Sequence, residues 1–389
     1  MAAFLQAEKG ILEMATGTGK TNTAIKILSS LLEADKIEGA IICTEGTDLL
    51  DQWARSLVKW NSERKYGLRV LKHYESHHQG QIFSSHPSES VLVVSRQQLA
   101  AVVKQISASD KKELLVIHDE IHGLGAPSLV LALGGLHADF RYCLGLSATP
   151  DREYDEEGST FIQKEVGNVV YQFGLKDAIE RGILCEFDYV ALPYELTEGD
   201  KKRLSAVYSR RAARENAGNP MSREEFWTEL ARVYKTAELK PAVFEKYLID
   251  HPDVLKGAIL FVEERAFGDR VLPILDQYTH LYRTYYADDD RDNLVRFGRG
   301  DIECLVTCHR ISQGIDIRDL RTVVLFSAAK ARLETIQRIG RCLRTDPNNP
   351  GKRALVIDFC REIEEDERET TDDERKAWLE DLATTKRKE

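Results

Sequence analysis

Glu13-Met14-Ala15-Thr16-Gly17-Thr18-Gly19-Lys20-Thr21 is the stretch on which the fold turns. It follows the short apolar run Gly10-Ile11-Leu12. It precedes Thr21 to Leu32, where Ala24, Ile25, Leu28, Leu31 and Leu32 recur at helical spacing. A Gly-rich turn between a strand and a helix is the placement that a phosphate loop needs. Its glycines let the backbone curl so that N–H groups converge, and the helix N-terminus adds positive potential. Gly17, Thr18, Gly19, Lys20 and Thr21 are therefore the candidate nucleotide-binding residues, with Lys20 facing the β- and γ-phosphates and the Thr21 hydroxyl offered to Mg²⁺. The plainer alternative, a Gly/Thr turn that merely caps a helix, does not account for Lys-Thr in register at the helix start.

Strand and helix signals alternate outward from this loop. Residues 39–44, 91–94, 114–117 and 142–146 are continuous apolar runs, as expected of strands covered on both faces. Residues 49–60 carry a helical pattern. Such alternation predicts a parallel sheet with helices on both sides. After Leu192 the chain turns charged and helical, broken at Gly218-Asn219-Pro220. Apolar strand runs resume at 258–262, 302–306, 322–326 and 354–357, without a second phosphate loop. The expected division is 1–192 as a first lobe, 193–256 as a helical insert or connector, 257–360 as a second lobe and 361–389 as an acidic helical tail, either docked or frayed.

The 389 residues suffice for two or three cores, and charged residues make up 30% of them. No apolar run has the length of a membrane span, and residues 1–8 lack the basic and apolar regions of a secretion signal. The seven cysteines are scattered and odd in number, so reduced thiols in an intracellular, cytoplasmic protein are expected. Cys304 and Cys308-His309 form half a zinc pattern with no second half, and read better as a strand end. The histidines at 73, 77, 78 and 86 read as a polar loop. Net charge is −10, and residues 361–389 hold −5 of it, with 12 acidic and 7 basic residues. Lys201, Lys202, Arg203, Arg210, Arg211 and Arg214, by contrast, lie in a stretch without an acid. That stretch either lines a nucleic-acid path or is a solvated helix face.

Two further constellations carry chemistry. Asp119 and Glu120 end the apolar run 114–117, so Asp119 can hold Mg²⁺ and Glu120 can orient and deprotonate an attacking water. His118 in the same run fits no such pattern, and Ser147-Ala148-Thr149-Pro150 ends another strand. Far along the chain, Arg338, Arg341 and Arg344 repeat at intervals of three on one helical face behind Gln337. Planar guanidinium groups suit phosphate oxygens, so Arg341 and Arg344 are candidate arginine fingers.

In this order the residues resemble the motor of the superfamily 2 helicases. Residues 15–21 resemble motif I, Asp119-Glu120-Ile121-His122 the DExH form of motif II, Ser147-Ala148-Thr149 motif III, residues 311–316 motif V and residues 337–344 motif VI. The finer resemblance is to the XPB-like group with the type III restriction helicase subunits, through residues 13–21, Leu49-Leu50-Asp51-Gln52-Trp53, residues 178–184 and the ending Gly340-Arg341-Cys342-Leu343-Arg344.

That resemblance implies two RecA-like parallel-sheet domains in tandem with a helical insert between them. It implies ATP with Mg²⁺ between the lobes and nucleic acid, DNA ahead of RNA, across their top. Gly314, Asp316 and Gln337 join the nucleotide-binding set. Thr44, Thr47, Ser95, Arg96 and Thr307, with Arg210, Arg211 and Arg214 of the basic stretch, form the candidate nucleic-acid set. The family's adenine-sensing segment lies upstream of motif I, and Met1 to Gln6 resembles the end of its helix, as in a truncated or naturally split protein. The implied activity is an ATP-dependent helicase or translocase. The alternative is an ATP-driven switch or clamp in a defence, repair or restriction assembly, with a nuclease or another subunit as partner.

Overall fold

The computed structural model describes residues 1–64, 66–149, 155–290, 292–308, 320–327, 332–347, 349–362 and 371–388. The chain divides into two compact units, the first being Met1–Ala178 and the second comprising the described residues from Ile179 onward.

The first unit is built on strands β1 (Lys9–Met14), β2 (Gly39–Thr44), β3 (Arg69–Tyr74), β4 (His77–His78), β5 (Ser90–Ser95), β6 (Leu114–Asp119), β7 (Tyr142–Ser147) and β8 (Val169–Phe173). They lie in the order β4-β3-β5-β2-β6-β7-β1-β8. Every pairing is parallel except β3 with the two-residue β4 at the edge. The apolar runs are explained by this placement: β2, β6 and β7 are buried along their whole length in the middle of the sheet. One large core packs Ile41, Leu92, Val116 and Cys143 of the sheet against Leu99, Val102, Leu133, Phe161 and Ile162 of covering helices. Because the strands are parallel, Met14, Thr44, Ser95, Asp119 and Ser147 all finish on one rim, where open parallel sheets place their ligands.

The second unit contains β9 (Phe187–Tyr194), β10 (Ala258–Phe261), β11 (Tyr282–Thr284), β12 (Cys304–Thr307), β13 (Thr322–Leu325) and β14 (Ala354–Arg361). They form an all-parallel sheet in the order β11-β12-β10-β13-β14-β9. Here the expected boundary at 192 is corrected. β9 runs beside β14 in register from Phe187 opposite Ala354 to Tyr194 opposite Arg361, so it belongs to the second sheet. The expected insert 193–256 also divides. The helices Glu198–Asn216 and Arg223–Lys235 pair around a small core of Val207, Phe226, Leu230 and Val233. The helix Lys240–Asp250 instead sinks Phe244 and Leu248 into the main core of the unit.

The acidic tail is docked. Its helix Thr371–Ala383 carries Arg375, which is buried and bonds Asp358 of β14 at 2.7 Å and Asp372 at 2.9 Å. Tyr189 donates to the same Asp358, and Lys240 lies buried with its ammonium over Tyr194 and Phe359. Among the described residues no helix is long and apolar enough to cross a membrane. All seven cysteines are free.

Removing one partner of a buried ion pair leaves the other charge stranded, at a cost of about 3–5 kcal/mol. Arg375→Ala is therefore expected to lower the urea stability of the second unit by about 3 kcal/mol. Arg375→Met combined with Asp358→Asn should recover most of that loss. A single variant that unfolds at the parental urea midpoint would show that the pair does not hold the tail.

Candidate active site

The loop after β1 has the backbone of a phosphate cradle. Gly17 and Gly19 both take left-handed φ, 87° and 88°, which a side chain resists. A Cβ placed on Gly19 meets nothing within 4 Å, so the concave face is open. Gly19 caps the helix Lys20–Glu33, which has no side-chain cap. Its first-turn N–H groups have no intrahelical acceptor and converge on the space in front of the loop. Thr18 is tied inward, its Oγ1 donating to the Ala15 carbonyl at 2.7 Å. The Lys20 ammonium rests on the Met14 carbonyl at a long 3.3 Å. These features fit a nucleotide's phosphates, and the neighbouring carboxylates fit a divalent cation.

Those carboxylates end β6. Asp119 is 3% exposed, and it is held on both oxygens. The indole N–H of Trp53, in the helix Thr47–Arg64, donates to Oδ2 at 2.8 Å, and the Glu120 N–H donates to Oδ1 at 2.9 Å. Burial, followed by the charge of Glu120, pushes the Asp119 carboxyl up to about 6, against the pull of Lys20 and Trp53. Glu120 takes a left-handed backbone, φ 49°, uncommon for a residue with a Cβ. Its carboxylate lies 3.5 Å from His122 Nδ1, and the same nitrogen is 3.3 Å from Ser147 Oγ at the end of β7. Ser147 Oγ donates to the Thr149 carbonyl at 2.7 Å. Residues of motifs I, II and III thus stand on adjacent strands of one rim. Pro150 and residues 151–154 lie outside the described residues.

His118 belongs to a buried chain that the sequence does not reveal. Its Nε2 is 2.9 Å from His137 Nε2, and His137 Nδ1 is 2.8 Å from Glu165, which also accepts the Gly135 N–H. A proton on His137 Nδ1, towards the carboxylate, leaves Nε2 to accept from His118. Burial holds the His118 imidazole well below its ordinary pKa. Cys143 lies beside the two rings, all within 4.8 Å, but burial pushes its thiol up to about 12 and keeps it protonated. The hydrogen bonds engage His118 Nε2 and both nitrogens of His137, while His118 Nδ1 is buried without a hydrogen-bond partner. Cys304 is likewise a buried strand residue, and His309 lies outside the described residues.

Several expected nucleic-acid contacts are corrected. Thr44 and Thr307 are 0% exposed, with their hydroxyls donating to the carbonyls of Asp119 at 3.4 Å and Tyr285 at 2.8 Å. Arg96 is 3% exposed and turned inward, donating to the carbonyls of Asp119 and Glu120. None of the three presents its polar group to a phosphate backbone. Thr47 remains half-buried at a helix start, bonded to Glu75 at 2.5 Å, and Ser95 ends β5 with its hydroxyl on Gln98 at 3.3 Å. In the basic stretch, Arg210 pairs with Glu229 at 2.8 Å and Arg214 with Glu225 at 2.5 Å, while Arg211 covers the Phe226 ring at 4.2 Å. These arginines join one helix of the pair to the other.

In the second unit, Gln337, Arg338, Arg341 and Arg344 lie on or just beyond the helix Arg332–Cys342. Gln337 and Arg338 are buried, and Arg338 donates to Ser327 at 2.9 Å. Arg341 and Arg344 are half-buried. Gly314 and Asp316 lie outside the described residues.

Residues 2–152 match the family of the type III restriction enzyme res subunit, and residues 243–346 match the helicase conserved C-terminal domain. The DNA 3'-5' translocase XPB2 of Sulfurisphaera tokodaii is 22% identical over 92% of this chain and 79% of its own length. The Pyrococcus furiosus Hef helicase domain has a similar fold, with a TM-score of 0.55 at 15% identity over 95% of this chain and 94% of that one. So has the type ISP restriction-modification enzyme LlaBIII bound to DNA, with a TM-score of 0.62 at 17% identity. The latter alignment covers 98% of this chain and 28% of that one.

The raised pKa of Asp119 makes a pH prediction. A carboxyl whose folded pKa lies above its unfolded value favours folding when protonated; that advantage is full below the unfolded value of 3.8 and is lost as pH rises through about 6. Asp119→Asn is thus expected to melt above the parent at pH 8. The difference should shrink between pH 6 and pH 4 and correspond to at most about 3 kcal/mol. Melting curves of both proteins from pH 4 to 8, without nucleotide, check this. A constant difference across that range would show that Asp119 is not the titrating group.

Proposed function

We propose that the chain is a superfamily 2 helicase, in the group of XPB and the restriction-enzyme helicase subunits, and that the rim of its first sheet hydrolyses ATP to drive movement on DNA. The observation that carries this reading is the placement of Lys20, Asp119 and Glu120 on one rim, beside open helix-start amides.

Lys20 and the loop amides bind the terminal phosphates. The Thr21 hydroxyl and Asp119 would hold Mg²⁺, which would neutralise phosphate charge when bound. Glu120 orients the attacking water and takes its proton as the new P–O bond forms and the bond to the ADP oxygen breaks. Trp53 supports this division of labour: by fixing one oxygen of Asp119 it leaves the other carboxylate, Glu120, as the base. Arg341 and Arg344 serve as arginine fingers that stabilise charge in the transition state. Gly314, Asp316 and Gln337 complete the nucleotide set.

DNA is the proposed polymer because the relatives' own descriptions name it, for the Sulfurisphaera translocase and for LlaBIII. With Thr44, Arg96 and Thr307 turned inward, Thr47, Ser95 and the backbone of the rim remain for sequence-independent contact. The likeness to restriction enzymes supports a further protein subunit as partner.

ATP turnover with and without single-stranded DNA, duplex DNA and RNA tests the proposal. DNA is expected to raise it. Lys20→Ala and Glu120→Gln should each lower kcat at least about 100-fold with unchanged melting, and Arg341→Ala about as much with nucleotide still bound. Full turnover in folded Lys20→Ala overturns the assignment. Hydrolysis with neither strand displacement nor translocation would identify a switch rather than a motor.

A further inference from the structure

We propose that Arg96 is a positioning residue for hydrolysis: its guanidinium, enclosed beneath the loop after β6, sets the backbone from which Glu120 acts. The proposal rests on the reading of Glu120 as the base.

Arg96 is the first residue of the helix Arg96–Val103, directly after β5. β5 and β6 both flank β2, so its side chain crosses the end of β2 to reach the acidic loop. One nitrogen, Nη2, donates to the carbonyls of both Asp119, at 2.6 Å, and Glu120. The other, Nη1, pairs with Glu45 Oε2 at 3.1 Å. The Thr44 hydroxyl adds a second donor to the Asp119 carbonyl. The contacts on the acidic loop are all to main-chain oxygens. They specify where the peptide planes lie, whatever side chains those residues carry.

That constraint falls where the backbone most needs one. Glu120 occupies the left-handed region, which a residue with a Cβ keeps only where its surroundings over-determine it. The direction of its carboxylate follows from that φ. The following turn is shaped around the guanidinium as well. A Cβ on Gly123 would stand 2.0 Å from Nη1 and 2.8 Å from Cζ, so a side chain there would displace the guanidinium from its place. A lysine cannot substitute, because an ammonium is a point donor and cannot serve two carbonyls and a carboxylate in one plane.

The test uses the full chain and four variants, Arg96→Ala, Arg96→Lys, Gly123→Ala and Glu120→Gln. It measures kcat per active site, affinity for a fluorescent ATP analogue, and melting. Each of the first three is expected to lower kcat about 10–100-fold with nucleotide affinity within about threefold, because the phosphate loop is untouched. Millimolar guanidinium ion should restore part of the kcat of Arg96→Ala and none of that of Glu120→Gln. A merely structural role would reduce the folded fraction and leave kcat per active site at the parental value. Should Arg96→Ala fail to fold, Arg96→Lys and Gly123→Ala decide the matter. Parental kcat in the folded Arg96 and Gly123 variants beside an inactive Glu120→Gln overturns this proposal alone. Full activity in Glu120→Gln overturns the site reading, and the role of Arg96 with it.

Discussion

A carboxylate buried at the end of a parallel strand is the constraint around which the first unit is arranged. Asp119 stands where an apolar strand meets the rim, and its charge is disfavoured there. Each neighbour answers that cost. An indole N–H and a peptide N–H satisfy its oxygens and the Lys20 ammonium lowers its pKa, while its main-chain carbonyl, apart from that charge, takes donors from Thr44 and Arg96. Loops that would otherwise be independent, those after β1, β2, β5 and β6, are thereby tied to one residue. The same arrangement leaves an acid ready for a divalent cation, whose charge would relieve what the fold leaves uncompensated.

The second unit shows the same logic around another buried carboxylate. Asp358 lies within β14, and the terminal helix exists in its docked form because Arg375 meets that charge. Lys240, also buried, stands over the rings of Tyr194 and Phe359, and burial lowers its pKa to about 8. A terminal segment carrying half of the net charge is thus anchored by one of its few cations.

What was legible in the sequence is what depends on local order. The apolar runs at 39–44 and 114–117 could only be covered strands, and Gly17, Gly19 and Lys20 announce their backbone by residue type. What was not legible depends on partners distant in sequence. Thr44, Arg96 and Thr307 have the hydroxyls and guanidinium suited to phosphate, yet burial decides what those groups touch, and burial follows from tertiary contacts. Stretch 201–214 contains no acid, but Arg210 and Arg214 find their counter-charges, Glu229 and Glu225, on the next helix. Strand β9 has weak alternation because its burial is shared unevenly, so only its pairing with β14 reveals its sheet. His118 looked anomalous in an apolar strand until His137 and Glu165, 19 and 47 positions further on, supplied its hydrogen-bond chain.

These placements bear on how an acidic protein engages a polyanion. Counting cations along the chain suggested a basic patch, but Arg96, Arg338 and Arg375 are buried, and Arg210 and Arg214 are paired with glutamates. Cations already engaged in this way release few counterions from a phosphate backbone, so contacts of this type contribute little long-range, salt-sensitive attraction. On the proposed reading the grip comes instead from neutral groups: peptide N–H groups at helix starts along the rim, and the Thr47 and Ser95 hydroxyls once released from Glu75 and Gln98. Such contacts are short-ranged and depend on where the backbone stands. Arg96 bonds both the acidic loop and Glu45, in the loop beside Thr47, so on that reading the nucleotide and strand contacts share one scaffold.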